Sequence, residues 1–467
     1  KAETEHLLKN TIPAEQAEQW GRMQIQCPTG RIEPVDTYTD KLLRKIYRSD
    51  TFEGLSSEQV IIGFLMNPSY WGNIPFIRQT NKELPQAYAD LSVYSGKDSL
   101  FVSKIMPWYL GEAFDALRTG TWESAGEVLS MMNVYQQKQS ATPLLTEKQV
   151  SWELFYNKAR LFFWSAMGYM AVGLLLLIFV VGQLLKPGRR LLKTVIIPLV
   201  ALVVLIFLLH TSGIGIRWYI SGRAPWANAY ESMIYVAWAT ALAGLLFIKR
   251  SSMTLALAAF FAGIILFVAN LNFMDPEITP LVPVLKSYWL MIHVAVITAS
   301  YGFFGISFLL GLLTLAFMSA GNPSKVALLQ PHIRELRIIN EMSLHIGLYL
   351  LTAGIFLGAV WANESWGRYW GWDPKETWAL ITMVVYAFIL HARFLPVLRS
   401  DYAFSVMSVL GLASVLMTYF GVNYYLSGLH SYGGGDTPPG LTAVFITYAC
   451  AFALMIYAGY RRARFGK

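Results

Sequence analysis

The residues best suited to chemistry in this sequence are its histidines, most of which lie in or beside long apolar stretches. Ionisable side chains are expensive in hydrocarbon and usually serve a function there. A neutral imidazole nitrogen binds transition metals, and two facing imidazoles can hold an iron between them. His6 and His332 lie in polar segments, where we interpret them as surface residues. The remaining five are candidate ligands: His210, His293, His345, His391 and His430.

A second candidate is the segment 361–378, WANESWGRYWGWDPKETW, which is unusually rich in tryptophan. One or two tryptophans beside an apolar run are typical of the belt at a membrane interface. Five in one segment, with Gly367 and Gly371 between them, exceed what anchoring needs. Flat aromatic faces and close backbone approach favour a platform for a large planar ligand. The five are Trp361, Trp366, Trp370, Trp372 and Trp378.

The acidic residues of this segment have a structural interpretation as well. Asp373 at the N-cap, Pro374 at the first helical position and Glu376 at the third predict a capping box that opens a helix. Asp373 can contact a ligand or partner in addition.

The elements that must position these residues are apolar helices. Of the 467 residues 55% are hydrophobic and 14% are charged, against about 25% charged in a soluble domain, and the mean hydropathy is +0.43. Residues 1–158 are polar and predict a mostly helical soluble region. After them come nine runs near the ~20 residues that cross a bilayer. They span about 160–185, 194–213, 229–248, 252–273, 288–318, 339–361, 376–395, 402–425 and 441–460.

The fold class predicted is therefore an all-α polytopic membrane protein of about nine transmembrane helices, preceded by an extracytoplasmic, mostly helical soluble region. Cys27 and Cys450 are far apart and no CxxC occurs, which argues against thiol redox chemistry and a zinc site. The first residue is Lys and no signal peptide precedes the polar region, so we expect a missing upstream segment.

Basic residues predict the orientation of the helices. Alternate loops are rich in Lys and Arg, from Lys186, Arg189 and Arg190 to Arg461 and Arg462, and are expected to be cytoplasmic. This distribution explains the net charge of +8 without nucleic acid. The N-terminal region then lies outside and the C-terminus inside. The loops predicted to be external hold fewer basic residues: Arg217, Arg223, Lys286, Arg368 and Lys375.

The same orientation sorts the histidines by depth. His293 near the outer end of the fifth span and His430 in the loop after the eighth share the side of the tryptophans, which predicts a pair of axial ligands to a haem iron. Alone, each is better explained as an interfacial histidine bonded to backbone, and only their shared side favours a role as ligands. His391 lies 18 residues beyond Asp373, roughly 27 Å along a helix, and so belongs to the cytoplasmic side.

Two histidines have simpler interpretations. His345 lies at a depth similar to that of His391 and is a possible partner for it, although a helix-packing hydrogen bond explains it more simply. His210 is expected to serve packing.

Three external arginines are candidates for the haem propionates: Arg217, Arg223 and Arg368. Contacts with lipid headgroups, or an ion pair with Glu231 or Glu364, are the alternative. Gly433, Gly434 and Gly435 suggest a flexible flap, and an ordinary loop explains them nearly as well.

Several of these segments resemble a known family. WGRYWGWDPKETWALI is similar to the tryptophan-rich WWD signature of haem-handling proteins, which include the Ccs-type cytochrome c synthetases and the Ccm-type haem proteins. The similarity to Ccs-type (CcsA/ResC) sequences covers about residues 194–460. Residues 1–185 more weakly resemble the external part and last span of a CcsB/ResB-like portion, which suggests the fused CcsBA form. The other segments with this resemblance are LVPVLKSYWLMIHV, WANAYES, ILHAR and GLHSYGGG.

The resemblance implies three parts: residues 1–158 as the CcsB/ResB-like soluble region, 159–190 as a span and linker, and 191–467 as the CcsA/ResC-like haem-handling domain. It implies His293 and His430 as external haem ligands. His391 corresponds to a transmembrane ligand whose partner lies in the CcsB-like portion, upstream of Lys1.

The function implied is that of a cytochrome c synthase (haem lyase). Haem b would cross the bacterial inner membrane and be attached to the CxxCH motif of apocytochrome c on the periplasmic side. Expected partners are apocytochrome c, haem, membrane lipid and thiol-reducing proteins. Catalysis would rest on haem positioning, since the thiols come from the substrate. The alternatives are a haem exporter or chaperone that forms no bond, and a respiratory subunit carrying haem b.

Overall fold

The computed structural model describes residues 11–27, 30–47, 49–66, 96–139, 143–185, 190–271, 276–280, 286–320, 323–426, 428 and 441–465. The chain divides into two compact units. The first comprises Lys1–Ala159 together with Glu277–Pro280, and the second comprises Arg160–Pro276 and Leu281–Lys467.

In its described residues, the first unit is built from helices and two short hairpins. Strand β1 (Gln24–Gln26) pairs with β2 (Ile32–Pro34), and β3 (Thr51–Phe52) pairs with β4 (Leu55–Ser56), both antiparallel. Glu53 and Gly54 both have positive φ, as a two-residue hairpin turn requires. The helices are α1 (Ala14–Gly21), α2 (Val35–Tyr47), α3 (Ser57–Met66), α4 (Gly96–Thr119), α5 (Glu123–Gln139) and α6 (Glu147–Ala159).

An ionic cluster joins the segment Glu277–Pro280 to the rest of the first unit. The Lys41 ammonium donates to Glu33 Oε2 at 2.6 Å and to Glu277 Oε1 at 2.7 Å. Arg31 donates to the same Glu33 oxygen at 2.9 Å. Ligand atoms of Cys27, Glu33 and Glu277 lie within 4.8 Å of one another, but Lys41 already supplies the positive charge that these carboxylates need.

A group of buried carboxyls lies between α2 and α3. Burial raises the pKa of Asp36 to about 8, and Asp40 and Glu58 beside it add to the shift. Burial also raises the pKa of Asp40 to about 6. Both carboxyls therefore hold a proton more tightly in the folded protein than in the unfolded chain, where the usual value is 3.8. The stabilisation from these protons is complete below pH ~4 and is lost as the pH rises through 6 and then 8.

We therefore expect the first unit to lose stability as the pH rises from 5 to 8, by up to ~1.4 kcal/mol per pH unit for each titrating group. Asp36→Asn should flatten this dependence because the amide does not ionise. Hydrogen exchange of peptides from residues 30–66 in the full chain measures the effect, with the exposed Asp115→Asn as control. Equal pH dependence in wild type and Asp36→Asn would refute the assignment.

The second unit holds the apolar helices. Among the described residues, nine helical stretches are long and apolar enough to cross a membrane, which confirms the predicted polytopic all-α fold. They contain α7 (Leu161–Leu185), α8 (Arg190–Ser221), α9 (Ala229–Leu246), α10 (Ser252–Ala269), α11 (Tyr288–Met318), α12 (Pro323–Trp366), α13 (Pro374–His391), α14 (Asp401–Leu416) with its continuation α15 (Val422–Tyr425), and α16 (Leu441–Phe465).

Two helices are longer than the predicted spans. Helix α8 ends at Ser221 rather than near 213, and α12 covers 44 residues rather than 339–361. Charged residues at the start of α12 lower its hydropathy without ending the helix, so an apolar window detects only the middle. At 1.5 Å per residue α12 is ~66 Å long, about twice the hydrocarbon thickness. Its last two turns carry Trp361 and Trp366.

Helix α11 packs against several neighbours through small residues, which let apolar helices approach closely. A Cβ at Gly302 would lie 2.9 Å from the backbone nitrogen of Thr240 on α9. One at Gly311 would lie 2.9 Å from the carbonyl oxygen of Ser405 on α14. Phe304 of α11 stacks on Tyr386 of α13, with ring centroids 3.7 Å apart. The helix that carries His293 is thus held on three sides.

A π-helical turn, Met417–Gly421, interrupts the eighth span. The hydroxyl of Thr418 in this turn donates to Ser414 O at 2.8 Å and lies 2.9 Å from the hydroxyl of Thr382 on α13. Such a turn inserts one residue and changes the direction of the side chains that follow. It therefore sets the direction in which the chain leaves α15.

Candidate functional site

His293 lies one and a half turns into α11, half-buried, with its ring against α12. Its Nδ1 is 2.7 Å from the carbonyl oxygen of Gly354. A carbonyl only accepts, so Nδ1 must carry the hydrogen of the neutral ring, and the lone pair lies on Nε2. Ligand histidines of metal sites are oriented by this kind of hydrogen bond.

The tryptophans do not form one flat stack. Trp361 is fully buried, and its ring lies nearly parallel to that of His293, with centroids 6.4 Å apart and 16° between planes. Trp366 meets Trp361 edge to face at 4.8 Å. Trp361 thus lies beside the ring of His293 inside the protein and presents no exposed face to a ligand.

The second tryptophan pair belongs to the short loop between α12 and α13. Trp370 and Trp372 meet edge to face, with centroids 5.8 Å apart. Trp372 is 71% exposed and has the unusual φ of +55°, a backbone conformation that costs energy in a non-glycine residue. Trp378 lies in the first turns of α13 and is half-buried. Trp372 is therefore the tryptophan best placed to meet a ligand.

Asp373 has the predicted capping role and a further contact. It is the N-cap of α13, and both hydrogen bonds of the capping box with Glu376 are formed, which confirms that prediction. Glu376 also accepts from the backbone nitrogen of Gly371 at 2.8 Å. Gly428 lies so close that a Cβ there would collide with the Asp373 carboxylate and lie 2.8 Å from Pro374 Cδ. The start of α13 thus borders Gly428, three residues beyond α15. His430, Gly433, Gly434 and Gly435 lie outside the described residues.

The three arginines have different surroundings. Arg217, 1% exposed, donates to Glu231 Oε1 at 2.9 Å and to the carbonyl oxygen of Pro276 at 2.9 Å. Arg223 donates to Glu231 Oε2 at 2.8 Å. These two therefore form the ion pair with Glu231 that the sequence left open. Arg368 is exposed and lies over Gly371, and it makes no ion pair with any described residue.

His391 is the last residue of α13, 18 residues beyond Asp373 and thus ~27 Å from the end of the tryptophan loop. Its Nδ1 hydrogen-bonds the carbonyl of Ala387 in its own helix at 2.7 Å, and the side chain is exposed. His345 makes the same kind of bond, to Glu341 O at 2.8 Å. Glu341 pairs with Arg393, so His345, in the middle of α12, lies at a depth similar to that of His391 at the end of α13. The bond of His345 is within its helix rather than between helices.

His210 of α8 is fully buried between Phe162 and Tyr169, with ring centroids 5.6 and 5.9 Å away. Neither ring nitrogen completes a hydrogen bond with the described residues. Its surroundings are aromatic and close-packed, as expected for a packing residue.

Parts of this sequence are similar to those of known proteins. Residues 226–430 match the family described as cytochrome C assembly protein. The cytochrome c biogenesis protein CcsA of Prochlorococcus marinus (strain MIT 9303) is 35% identical over 57% of this chain and 93% of that protein. The chain belongs to the CcsA family of cytochrome c biogenesis proteins. The CcsA of Chlamydomonas reinhardtii is 38% identical over 47% of this chain and 63% of its own length.

Similarity extends beyond the CcsA-family region in one relative. Protein NrfI of Wolinella succinogenes is 37% identical over an alignment that covers 90% of this chain. The chain spans 55% of the length of NrfI. The CcsA-family match includes the tryptophan segment, Glu231, His293, His391 and His430, whereas Arg217 and Arg223 precede it.

Two residues that contribute to the surroundings of His293 were not predicted from the sequence. Gly354 supplies the carbonyl that orients His293. Ser287, at the N-cap of α11, donates to Glu364 of α12 at 2.8 Å and so joins the two helices beside His293. The sequence did contain an indication for Gly354, since Gly354 and Gly358 have the spacing of a helix-packing motif. Ser287 carried no signal beyond a serine before an apolar run.

Proposed function

We propose that this CcsA-family protein binds haem b at its extracytoplasmic face through His293 and His430 and attaches it covalently to apocytochrome c. The observation that carries the proposal is the geometry of His293. Its ring is fixed by the Gly354 carbonyl, backed by Trp361 and left half-buried, with the lone pair on Nε2. Membership of a cytochrome c biogenesis family supports the same ligand.

Haem is the substrate, and the described residues fit its chemistry. An imidazole Nε2 suits an axial position of the iron. The exposed Trp372 offers an aromatic face to the porphyrin. Arg368 has no carboxylate partner among the described residues, so its guanidinium suits a propionate. Arg217 and Arg223 have little exposed side-chain surface and already share one carboxylate, that of Glu231, so they are weaker candidates.

The reaction requires no nucleophile from this chain. Each of the two thiols of a CxxCH motif adds across one vinyl group. Sulfur bonds to the vinyl carbon next to the ring, and the thiol hydrogen goes to the terminal carbon, so no electrons are gained or lost. The histidine of CxxCH then replaces one of the two protein ligands and releases the product. Holding haem and peptide in register contributes up to roughly 7–11 kcal/mol.

The proposal includes a route and a location. Haem would reach the outer site from the cytoplasmic side, where His391 leaves Nε2 free of its intrahelical bond. The membrane would be the bacterial inner membrane, and thiol-reducing proteins would keep the CxxCH reduced. The first unit would be a CcsB/ResB-like portion fused to the CcsA-family region, and the NrfI alignment includes most of this unit.

Synthesis in a cell tests the proposal. The full-length protein is co-expressed with a CxxCH apocytochrome c in cells that lack other maturation systems, and covalent haem is scored on a denaturing gel. We expect covalent haem on CxxCH and none on an AxxAH control peptide. Haem that accumulates in the protein without any covalent product would favour a haem exporter or chaperone instead.

The tryptophan loop gives a second test. Trp372→Ala should weaken retention of the outer haem by roughly 2- to 10-fold, the equivalent of ~0.5–1.5 kcal/mol for an aromatic contact. Trp372→Phe should cost less because a π face remains. Trp164→Ala is the matched control, since Trp164 is also exposed, at 61%, and lies on α7. Haem titration of the purified variants measures the effect. Equal haem retention in all of them would show that Trp372 does not contact the haem.

A further inference from the structure

Three glycines of α12 face three side chains of α11 in a regular register. A Cβ at Gly347 would lie 2.7 Å from the ring of Phe304. One at Gly354 would collide with Ile297, and one at Gly358 would collide with His293. The intervals match on the two antiparallel helices: four residues separate His293 from Ile297 and Gly354 from Gly358, and seven separate the next pair on each helix. Each glycine therefore leaves a gap in the surface of α12, here called a notch, that one side chain of α11 fills.

The notch at Gly358 is filled by the imidazole alone. The three atoms nearest to a Cβ built at Gly358 all belong to the His293 ring, including Nδ1 at 2.6 Å and Nε2 at 3.2 Å. One turn earlier on the same helix face, the carbonyl of Gly354 accepts the hydrogen bond from Nδ1. Gly358 thus sets how deeply the ring enters, and Gly354 sets how it is turned.

Ordinary helix packing does not account for this arrangement. Glycines spaced four apart in membrane helices usually bring two backbones together. That explanation suits Gly354, which also faces the backbone nitrogen of Ile297 at 3.2 Å. At Gly358 the nearest atoms belong to a titratable ring, half-buried and beside the tryptophans.

We infer that Gly358 is a positioning residue for the His293 ligand, which rests on the proposed role of His293 as an axial ligand of the outer haem. Any side chain at position 358 displaces the ring and moves Nε2 away from the iron. The histidine remains in the sequence, yet the outer haem loses one imidazole.

The first measurement is the absorption spectrum of the outer haem in the purified full-length protein. Gly358→Ala should lose the bis-imidazole signature and lower the outer haem content about tenfold, the same loss that we expect of His293→Ala. The control is Gly182→Ala in α7, where a Cβ meets no atom within 4 Å. Because alanine favours helix over glycine, this control should keep its haem and its melting temperature.

The second measurement is a double-mutant cycle, which needs no haem. If the methyl of Gly358→Ala clashes with the imidazole, its effect on melting temperature should vanish in the His293→Ala background. The same cycle applies when Gly358→Ala alone does not fold, since the double variant His293→Ala/Gly358→Ala should then accumulate. A loss of stability that is equal in both backgrounds would overturn the inference.

The outcomes separate the two proposals. A wild-type spectrum in Gly358→Ala together with an altered one in His293→Ala contradicts the notch and leaves the ligand assignment intact. An unaltered spectrum in His293→Ala contradicts the ligand assignment itself, whatever position 358 does.

Discussion

Replacing Glu231 with alanine is expected to destabilise the membrane unit by about 3–5 kcal/mol, the cost of leaving buried charge uncompensated. Glu231 has no exposed side-chain surface, and it forms ion pairs with both Arg217 and Arg223. The same carboxylate accepts from the backbone nitrogen of Ala227 at 2.8 Å. The Glu231 side chain therefore links α9 to α8 and to the loop between them. Arg217, which it orients, also donates to the carbonyl oxygen of Pro276.

Thermal unfolding of the purified protein in detergent measures this effect. Asp401→Ala is the matched control, because Asp401 also pairs with one arginine, Arg337, but is 22% exposed and should cost about 1 kcal/mol or less. Replacing Glu231, Arg217 and Arg223 together by apolar residues should recover part of the loss. A Glu231→Ala protein as stable as Asp401→Ala would show that the cluster does not hold the fold.

The second large effect is expected at His391. If haem enters at the inner end of α13, His391→Ala should lose haem from both the inner and the outer position, because the outer site is filled through the inner one. Free imidazole should rescue this variant less readily than it rescues the outer ones, since water is scarce in the hydrocarbon region. The motivation is the exposed ring, whose Nδ1 bonds within its own helix.

Haem content and cytochrome maturation by the full-length variants measure this prediction, with His332→Ala as the control at a partly exposed histidine. The rival explanation makes His391 a packing residue whose loss costs only ~0.6–2 kcal/mol. Under that explanation the protein fills its outer site and matures cytochrome normally. A haem-replete, active His391→Ala protein would end the two-site account.

The membrane helices could be read from the sequence because burial in hydrocarbon imposes a long apolar run, and all nine predicted runs correspond to helices. The capping box at Asp373 was equally predictable, since Asp, Pro and Glu at the N-cap, first and third helical positions define it. The ends of the helices were harder to predict from the sequence. Helix α12 continues through charged residues, which a hydropathy criterion assigns to a loop.

The contacts between helices were not readable from the sequence. Nothing in the pattern places Gly358 opposite His293, because that pairing depends on the register of two antiparallel helices. Nor does it assign Arg217 and Arg223 to one carboxylate, for which Glu231 and Glu364 were both candidates. The tryptophans illustrate the same limit, since composition predicted a common platform whereas the structure buries Trp361 and exposes Trp372.

The most direct test of the account is the visible spectrum of the haem bound by the purified full-length protein. Wild type should show low-spin, bis-imidazole haem. His293→Ala and His430→Ala should each lose the outer haem, and added free imidazole should restore it by filling the vacated axial position. Unchanged spectra in both single variants would contradict the claim that these two histidines hold the substrate.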